Sequence, residues 1–255
     1  MAVMVVAAAA GGLYVRRAWM PGQPEPVVPA EVRAVRDEMI TAWQGVEAVS
    51  AEVETYMSSA LGQPGMTAGG GTYDLSKRGG TLRIRFAMNN ELRLNLADAK
   101  ETEHFFAIEA LRWLVDGDMI YHSYHQPDFK RVGETVARAT KEKYSPDKIV
   151  QIGGKALFDQ LERDFDLQRL PDIEYEGRQV YVLRGNARGG DWHSLHYFDK
   201  ESGIRVRMVE NDADGSASLR ITLKDVNLTP AFEPDHFTFT PHKDVEIEDL
   251  TQAGP

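Results

Sequence analysis

The first regular pattern in the chain is an apolar stripe that repeats every three or four residues. Seven side chains form it: Val32, Val35, Met39, Ile40, Trp43, Val46 and Val49. This spacing puts them on one side of an α-helix of about 19 residues. We therefore expect an amphipathic helix at the start of the folded part of the chain, with its apolar side covered by a sheet.

From Ala51 onward the apolar positions alternate with polar ones, which is the period of a β-strand. Residues 69–71, three successive glycines, are predicted to form a flexible turn. The clearest alternation follows, and it puts large apolar side chains on one face of two neighbouring strands: Leu82, Ile84, Phe86, Leu92 and Leu94. Asn89 and Asn90 between these strands are compatible with a hairpin, since asparagine tolerates positive φ.

The middle of the chain contains a second hairpin signal, Asp116-Gly117. It predicts strands over residues 110–115 and 119–125, with a third strand at 129–136. Two helical segments follow, one that opens at Ser145-Pro146-Asp147 and one over residues 155–165.

Beyond Pro171 the pattern is typical of β-structure throughout. Short alternating segments are separated by turn residues, with strands predicted over 173–175, 179–184, 192–198, 204–209 and 219–226. In the last segment Phe237 and Phe239 alternate with two threonines, and Pro241 ends the ladder because proline has no N–H to donate. A second part of this ending is expected at 245–249. About eleven short strands, one helix before them and a helical insertion between them indicate an α+β, mainly β fold.

Charge and composition restrict the possible partners and chemistry. The chain has 255 residues and a formal net charge of −10, which makes nucleic acid an improbable partner. It contains no cysteine, so disulfides, thiolate metal sites, a cysteine nucleophile and a lipid-modified cysteine are all excluded.

The N-terminal region differs from the rest. Residues 1–20 are mostly apolar or small and are predicted to be a truncated signal or an N-terminal membrane anchor. Residues 21–30 are rich in proline and are expected to be a stiff linker. The folded domain is predicted over 31–251, with a short tail at 252–255.

Catalytic and metal-binding motifs are sparse. Two His-x-x-His pairs, His122 with His125 and His193 with His196, have metal-ligand spacing. Both pairs lie in predicted strands, where a spacing of three sends the rings to opposite faces. Ser194 lacks the Gly-x-Ser-x-Gly elbow of a serine hydrolase. We therefore predict no catalytic residue, no metal site and no cofactor.

Three short motifs occur in sequence along the chain: Ser76-Lys77-Arg78-Gly79 before a strand, Trp113-Leu114-Val115-Asp116-Gly117 with its aromatic return strand, and the Phe-Thr-Phe-Thr-Pro ending. Together, in this order, they resemble the LolA-like family of periplasmic lipoprotein carriers. The resemblance implies an incomplete antiparallel β-barrel of about eleven strands, with an N-terminal helix and a helical lid over its open face. Gly79 stands where the family has proline, which loosens the turn.

The resemblance also implies a function. In that family the inner apolar face takes up lipoprotein acyl chains, and the arginine of the first motif helps to hold the lid closed. Carried over, Arg78 is the candidate latch. The candidate ligand-binding residues are Leu82, Ile84, Phe86, Leu92, Leu94 and Trp113, unless they are ordinary core packed under the first helix.

The implied setting is the periplasm or cell envelope of a Gram-negative-type bacterium. There a monomer would act as a lipoprotein carrier or lipid sensor, between an inner-membrane donor and an outer-membrane acceptor. The alternative is a structural or interaction module of the same fold, with a filled core, that binds a partner protein.

Overall fold

A computed structural model describes residues 27–58, 66–77, 81–88, 111–116, 119–127, 135–143, 151–188, 190–239 and 245–251. These contain two helices, α1 (Ala30–Gln44) and α2 (Lys155–Asp164). They also contain twelve strands: β1 (Ala48–Ser58), β2 (Met66–Ser76), β3 (Thr81–Met88), β4 (Leu111–Asp116), β5 (Met119–Pro127), β6 (Thr135–Lys143), β7 (Phe165–Tyr175), β8 (Arg178–Ala187), β9 (His193–Asp199), β10 (Arg205–Asn211), β11 (Ala217–Asn227) and β12 (Ile247–Asp249). The prediction of a mainly β chain is confirmed.

The chain divides into two compact units. The first comprises Met1–Val46 and Ser145–Leu223, and therefore holds both described helices, β7 to β10 and most of β11. The second comprises Glu47–Tyr144 and Lys224–Pro255, with β1 to β6, the end of β11 and β12. The predicted boundaries after residues 20, 30 and 251 stay predictions.

In the first unit the antiparallel strands follow the order β11-β10-β9-β8-β7. Both helices pack on one face of this sheet, and the core between them consists of Val32, Val35, Met39, Leu157, Phe158, Leu161, Phe165, Leu167, Leu183 and Phe198, each at most 7% exposed. Phe158 of α2 stacks on Phe198 of β9, with the ring centroids 5.0 Å apart. The helix-covered face is therefore filled by protein side chains.

Helix α1 uses the predicted apolar stripe but ends earlier than predicted. Val32, Val35 and Met39 are its buried residues, and the helix ends at Gln44 with Gly45 as its C-cap. The predicted length of about 19 residues is wrong, because Val49 already belongs to β1. Gly203 lies so close to α1 that an added Cβ would be 2.9 Å from the Trp43 backbone nitrogen. Its φ of +71° also favours glycine.

In the second unit the strand order is β12-β6-β5-β4-β3-β2-β1. All neighbours are antiparallel except β12, which runs parallel to β6. Residues 69–71 lie inside β2 and pair with β1 and β3, so the predicted flexible turn is wrong. Pairing on both sides supplies the backbone hydrogen bonds that hold this glycine run extended.

Two other predicted strands differ from the structure. The strand expected at 129–136 corresponds to β6, which extends beyond it to Lys143. Phe237 and Phe239 do not form a strand, because the chain turns at residues 234–237, where the His236 N–H donates to the Glu233 carbonyl. Pro234 suits the second position of such a turn, since its φ is already set. The second part of the ending does pair, as β12.

Neither run of strands closes on itself, so the described sheet is open and not a closed barrel. The helix predicted to open at Ser145 lies outside the described residues, and the helical lid stays a prediction. In the described part of the chain, no helix has both the length and the apolarity needed to cross a membrane.

Candidate functional site

Four of the predicted ligand-binding residues lie at positions on one face of β3 and β4. Leu82, Ile84 and Phe86 alternate along β3, and Ile84 is directly opposite Trp113 of β4. Opposed residues of antiparallel strands share a face of the sheet. The register therefore brings these four positions together. Leu92, Leu94 and the latch candidate Arg78 lie outside the described residues.

The same face is apolar and buried on the neighbouring strands. Tyr73 of β2 is opposite both Ile84 and Ala51 of β1, and Tyr73 and Ala51 are each 4% exposed. On the other side Ile120 of β5 is fully buried and is opposite Val115 of β4. One apolar face thus runs across β1 to β5.

The opposite face of this sheet carries a buried carboxylate. Asp74 of β2 is 5% exposed. The Ser50 hydroxyl donates to its Oδ1 over 2.7 Å, and His236 Nε2 lies 3.0 Å from its Oδ2. The His236 ring stacks on Phe232 and meets Phe237 edge to face, with centroids 4.7 and 4.9 Å away.

A second aromatic contact fixes the same C-terminal segment to this face. Phe239 stacks on Tyr121 of β5, with the centroids 4.9 Å apart. We call Phe232, His236, Phe237 and Phe239 the C-terminal clasp. Phe237 and Phe239, from the ending that resembles the LolA-like family, are therefore part of a clasp on the polar face and not of a strand.

The Ser50, Asp74 and His236 side chains do not have the geometry of a nucleophilic triad. The carboxylate lies in the middle and accepts from both neighbours, whereas a general base must itself contact the hydroxyl that it deprotonates. This cluster holds the clasp in place. Sequence reasoning missed it because Asp74 and His236 are 162 residues apart.

A serine and a histidine do meet in the first unit, where Ser194 Oγ lies 2.7 Å from His196 Nε2. On the other side of the ring, Arg205 Nη1 lies 3.3 Å from His196 Nδ1. Since a guanidinium only donates, Nδ1 must accept, and the ring proton on Nε2 points to the serine. This histidine therefore cannot take the Ser194 proton.

The burial of Ser194 and His196 also argues against a catalytic role. Ser194 and His196 are both fully buried, so substrate cannot reach them. Burial and the neighbouring Arg205 lower the pKa of His196 well below its ordinary value. The pair is therefore a structural network of the sheet and not an acyl-transfer site.

His193 and His196 lie on opposite faces of β9, as their spacing of three in a strand predicts. His196 is fully buried, whereas His193, three residues earlier in β9, is half-buried. Burial lowers the pKa of His193, and Arg184 lowers it further. Among the described residues, no three potential ligands are grouped closely enough to hold a metal ion.

A small cleft in the first unit lies where the chain enters α1. It has a volume of about 160 Å³, and its walls include Val28, Phe165, Leu167 and Arg188. Ligand pockets usually measure roughly 300 to 1,000 Å³. This cleft is therefore too small for an acyl chain.

No protein-family model and no curated protein matches the chain by sequence. Among solved structures, it is similar to an uncharacterized conserved protein from Thermus thermophilus, with a TM-score of 0.52 and 9% identity over 86% of this chain and 99% of that chain. At this identity the similarity shows the fold alone.

Two further matches are more distant. The Pseudomonas aeruginosa MucA/MucB complex has a TM-score of 0.46 and 12% identity, over 83% of this chain and 62% of that chain. A LolA superfamily protein from Nitrosomonas europaea has a TM-score of 0.28 and 10% identity, over 81% of this chain and 97% of that chain. LolA superfamily structures are thus among the matches, as the sequence resemblance predicted, and these low scores establish nothing further about this chain.

Proposed function

We propose that this chain is a non-enzymatic envelope protein that takes up acyl chains of lipoproteins or lipids on the apolar face of β3 and β4. The observation that carries this proposal is the strand register, which puts Leu82, Ile84, Phe86 and Trp113 at neighbouring positions of one face. The motifs that resemble the LolA-like family support it independently.

The energetics of such a face require a cover that can be displaced. Burying an acyl chain contributes about 0.8 kcal/mol per methylene, so a 16-carbon chain gains on the order of 10 kcal/mol before ordering costs. A carrier that bound so tightly could not release its cargo. A lid that competes for the same apolar face, with Arg78 as its latch, would offset part of this gain.

The proposed setting is the periplasm, with residues 1–20 as a cleaved signal or a retained tether. A monomer would exchange cargo between an inner-membrane donor and an outer-membrane acceptor, or would report on lipid as a sensor.

The first test is native mass spectrometry of the full chain purified from its own envelope fraction, together with binding of a fluorescent fatty acid. We expect a co-purifying lipid or lipoprotein and saturable uptake of the probe. The proposal is wrong if neither is observed.

A pair of variants on one strand makes this test specific to the face. Ile84→Thr keeps a β-branched residue but removes apolar surface, and we expect about tenfold weaker fatty-acid binding from the loss of one to two buried methylenes. Arg85→Thr, at the next position and on the opposite face, should bind the probe as the unchanged protein does. Equal effects of the two variants would contradict the assignment of this face.

A second candidate is an interaction module that binds a partner protein. The filled core under α1 and α2 favours it, because that face of the first unit leaves no room for a lipid. Under this alternative, native mass spectrometry would detect a protein ligand without lipid, and the fatty acid would not bind.

A further inference from the structure

The first unit has a second sheet face, opposite the one that both helices cover. In β8, Leu183 belongs to the helix-covered core, so Arg184 lies at a position on the other face. In β9, Phe198 belongs to the core and Tyr197 lies on the other face by the same alternation. This second face is formed by side chains from β7 to β11.

Two neighbouring rows of this face carry cations without carboxylates. One row runs Gln168, Arg184, Leu195, Val209 and Arg220, and the next runs Leu170, Val182, Tyr197, Arg207 and Thr222. We call these two rows the arginine face. Three arginines and no acid are unexpected in a chain with a net charge of −10.

Two carboxylates at the ends of these strands have cationic partners of their own. Asp199 lies 3.3 Å from Arg178, and Asp166 lies 3.0 Å from Arg188. The positive charge of the arginine face is therefore not neutralised by these two groups.

Arg207 of β10 lies over two aromatic rings of this face. Its guanidinium carbon is 5.1 Å from the Tyr175 ring centroid and 5.5 Å from that of Tyr197. Within the described residues, its Nε is buried and has no hydrogen-bond acceptor. Tyrosine rings stabilise the cation but accept none of its N–H groups in plane. The residue is thus oriented and half-buried, with donors that a phosphate or carboxylate could use.

The position of this face in the sheet favours lipid headgroups over an acidic peptide. The backbone groups of β8, β9 and β10 are used in ladders on both sides, so a peptide could not add to them as a strand. The edge strand β7 is interrupted by a bulge between Leu170 and Ile173, with Pro171 inside it. Lipid phosphate groups, in contrast, could bind through the arginine side chains alone and would need no backbone groups of the strands.

Apolar and aromatic side chains border the arginines, as a bilayer surface requires. Ile173 is 41% exposed, and Tyr175 is half-buried beside Arg207. Tyrosine places an apolar ring and a polar hydroxyl together, which suits the boundary between headgroups and acyl chains. We propose that the arginine face binds the phosphate groups of an anionic lipid surface.

The absence of cysteine in this chain allows a site-specific test. A polarity-sensitive fluorophore on Ile173→Cys reports this face, and one on Ala34→Cys reports the exposed side of α1 as a matched control. With vesicles of phosphatidylglycerol and phosphatidylcholine, we expect a blue shift at position 173 and none at position 34. Pure phosphatidylcholine vesicles, or inorganic phosphate at the same phosphate concentration, should leave both labels unchanged.

Charge variants of the full chain give the second measurement, by co-sedimentation with the same vesicles. Arg207→Gln should lower the partition coefficient about fivefold, the usual contribution of one cation near an anionic surface. Arg33→Gln, which removes an exposed cation from α1, should leave it unchanged. Circular dichroism melts of both variants show whether each remains folded.

Three results would overturn this inference: no shift at position 173 on anionic vesicles, equal shifts at positions 173 and 34, or equal losses for the two arginine variants. A shift at position 173 caused by polyglutamate but not by vesicles would instead identify a peptide-binding face. Because the arginine face and the β3–β4 face belong to different units, Ile84→Thr should not alter vesicle binding, and Arg207→Gln should not alter fatty-acid binding.

Discussion

The two units have the same kind of antiparallel strands, but their sheets are covered in different ways. In the first unit, two amphipathic helices fill one face with close-packed side chains. In the second, a short C-terminal clasp is held on the polar face by one buried carboxylate and an aromatic stack. A filled face stabilises the fold but cannot take a ligand. We therefore expect the helix-covered face of the first unit to provide stability, and we expect ligand binding on the apolar face of the second unit, which is opposite the face that carries the clasp.

The largest effect should come from the helix-covered core. Phe158→Ala removes a fully buried ring that stacks on Phe198, and we expect it to lower the free energy of unfolding by about 3 to 5 kcal/mol. Phe237→Ala in the half-buried clasp is the matched control and should cost about 1 kcal/mol, because it leaves a smaller cavity. Urea unfolding followed by circular dichroism measures both. Equal losses would show that the two regions do not differ in packing.

The free energy of unfolding should also depend on pH through Glu210, which belongs to the first unit. Burial raises the pKa of Glu210 to about 7, despite the opposing influence of Arg205. The folded state therefore holds the proton more tightly than the unfolded state does. Stability from this group is full below the unfolded value of 4.5, falls as the pH rises, and is lost above about 7.

The raised pKa of Glu210 corresponds to a change of about 3 kcal/mol in the free energy of unfolding between low and high pH. We expect Glu210→Gln to remove most of that dependence, so that urea unfolding at pH 5 and pH 8.5 gives more similar free energies than in the unchanged protein. Glu174→Gln, an exposed carboxylate on β7, controls for the loss of one charge. A pH profile that Glu210→Gln leaves unaltered would contradict the prediction.

The smallest effect should come from the clasp. His236→Ala removes one partner of the buried Asp74 carboxylate and should cost about 1 to 2 kcal/mol. The protection of the clasp's backbone amides from hydrogen exchange should fall more than the global free energy of unfolding does, because only the clasp is released. Hydrogen exchange of residues 232–239 measures this, with His193→Ala as a control. If exchange in the clasp stays slow, Asp74 and His236 do not hold it.

The elements that could be predicted from the sequence are those with a local period. The apolar stripe of α1, the alternation of β3 and the turn signal at Asp116-Gly117 were all visible in short stretches. Local preference was misleading where neighbouring strands decide the outcome. Residues 69–71 form a strand because β1 and β3 supply backbone partners, although glycine alone favours a turn.

The candidate site was predictable only in part. The hairpin signals and the alternation were sufficient to put Leu82, Ile84 and Phe86 on one face. The position of Trp113 opposite Ile84 required the pairing of β3 with β4, which are separated along the chain by residues 89–110. The contact between Asp74 and His236 left no sequence pattern, because 162 residues separate them.

The sequence by itself determined a mainly β chain with one amphipathic helix at its start, no cysteine chemistry and a strongly apolar pair of strands. These properties follow from residue type and local spacing. Only the tertiary structure decided that Phe237 and Phe239 belong to a clasp, that His196 is held by Arg205, and that Arg184, Arg207 and Arg220 share a face. The reason is physical: burial and strand pairing join residues that are distant in the chain, and their energies depend on the neighbours that the fold supplies.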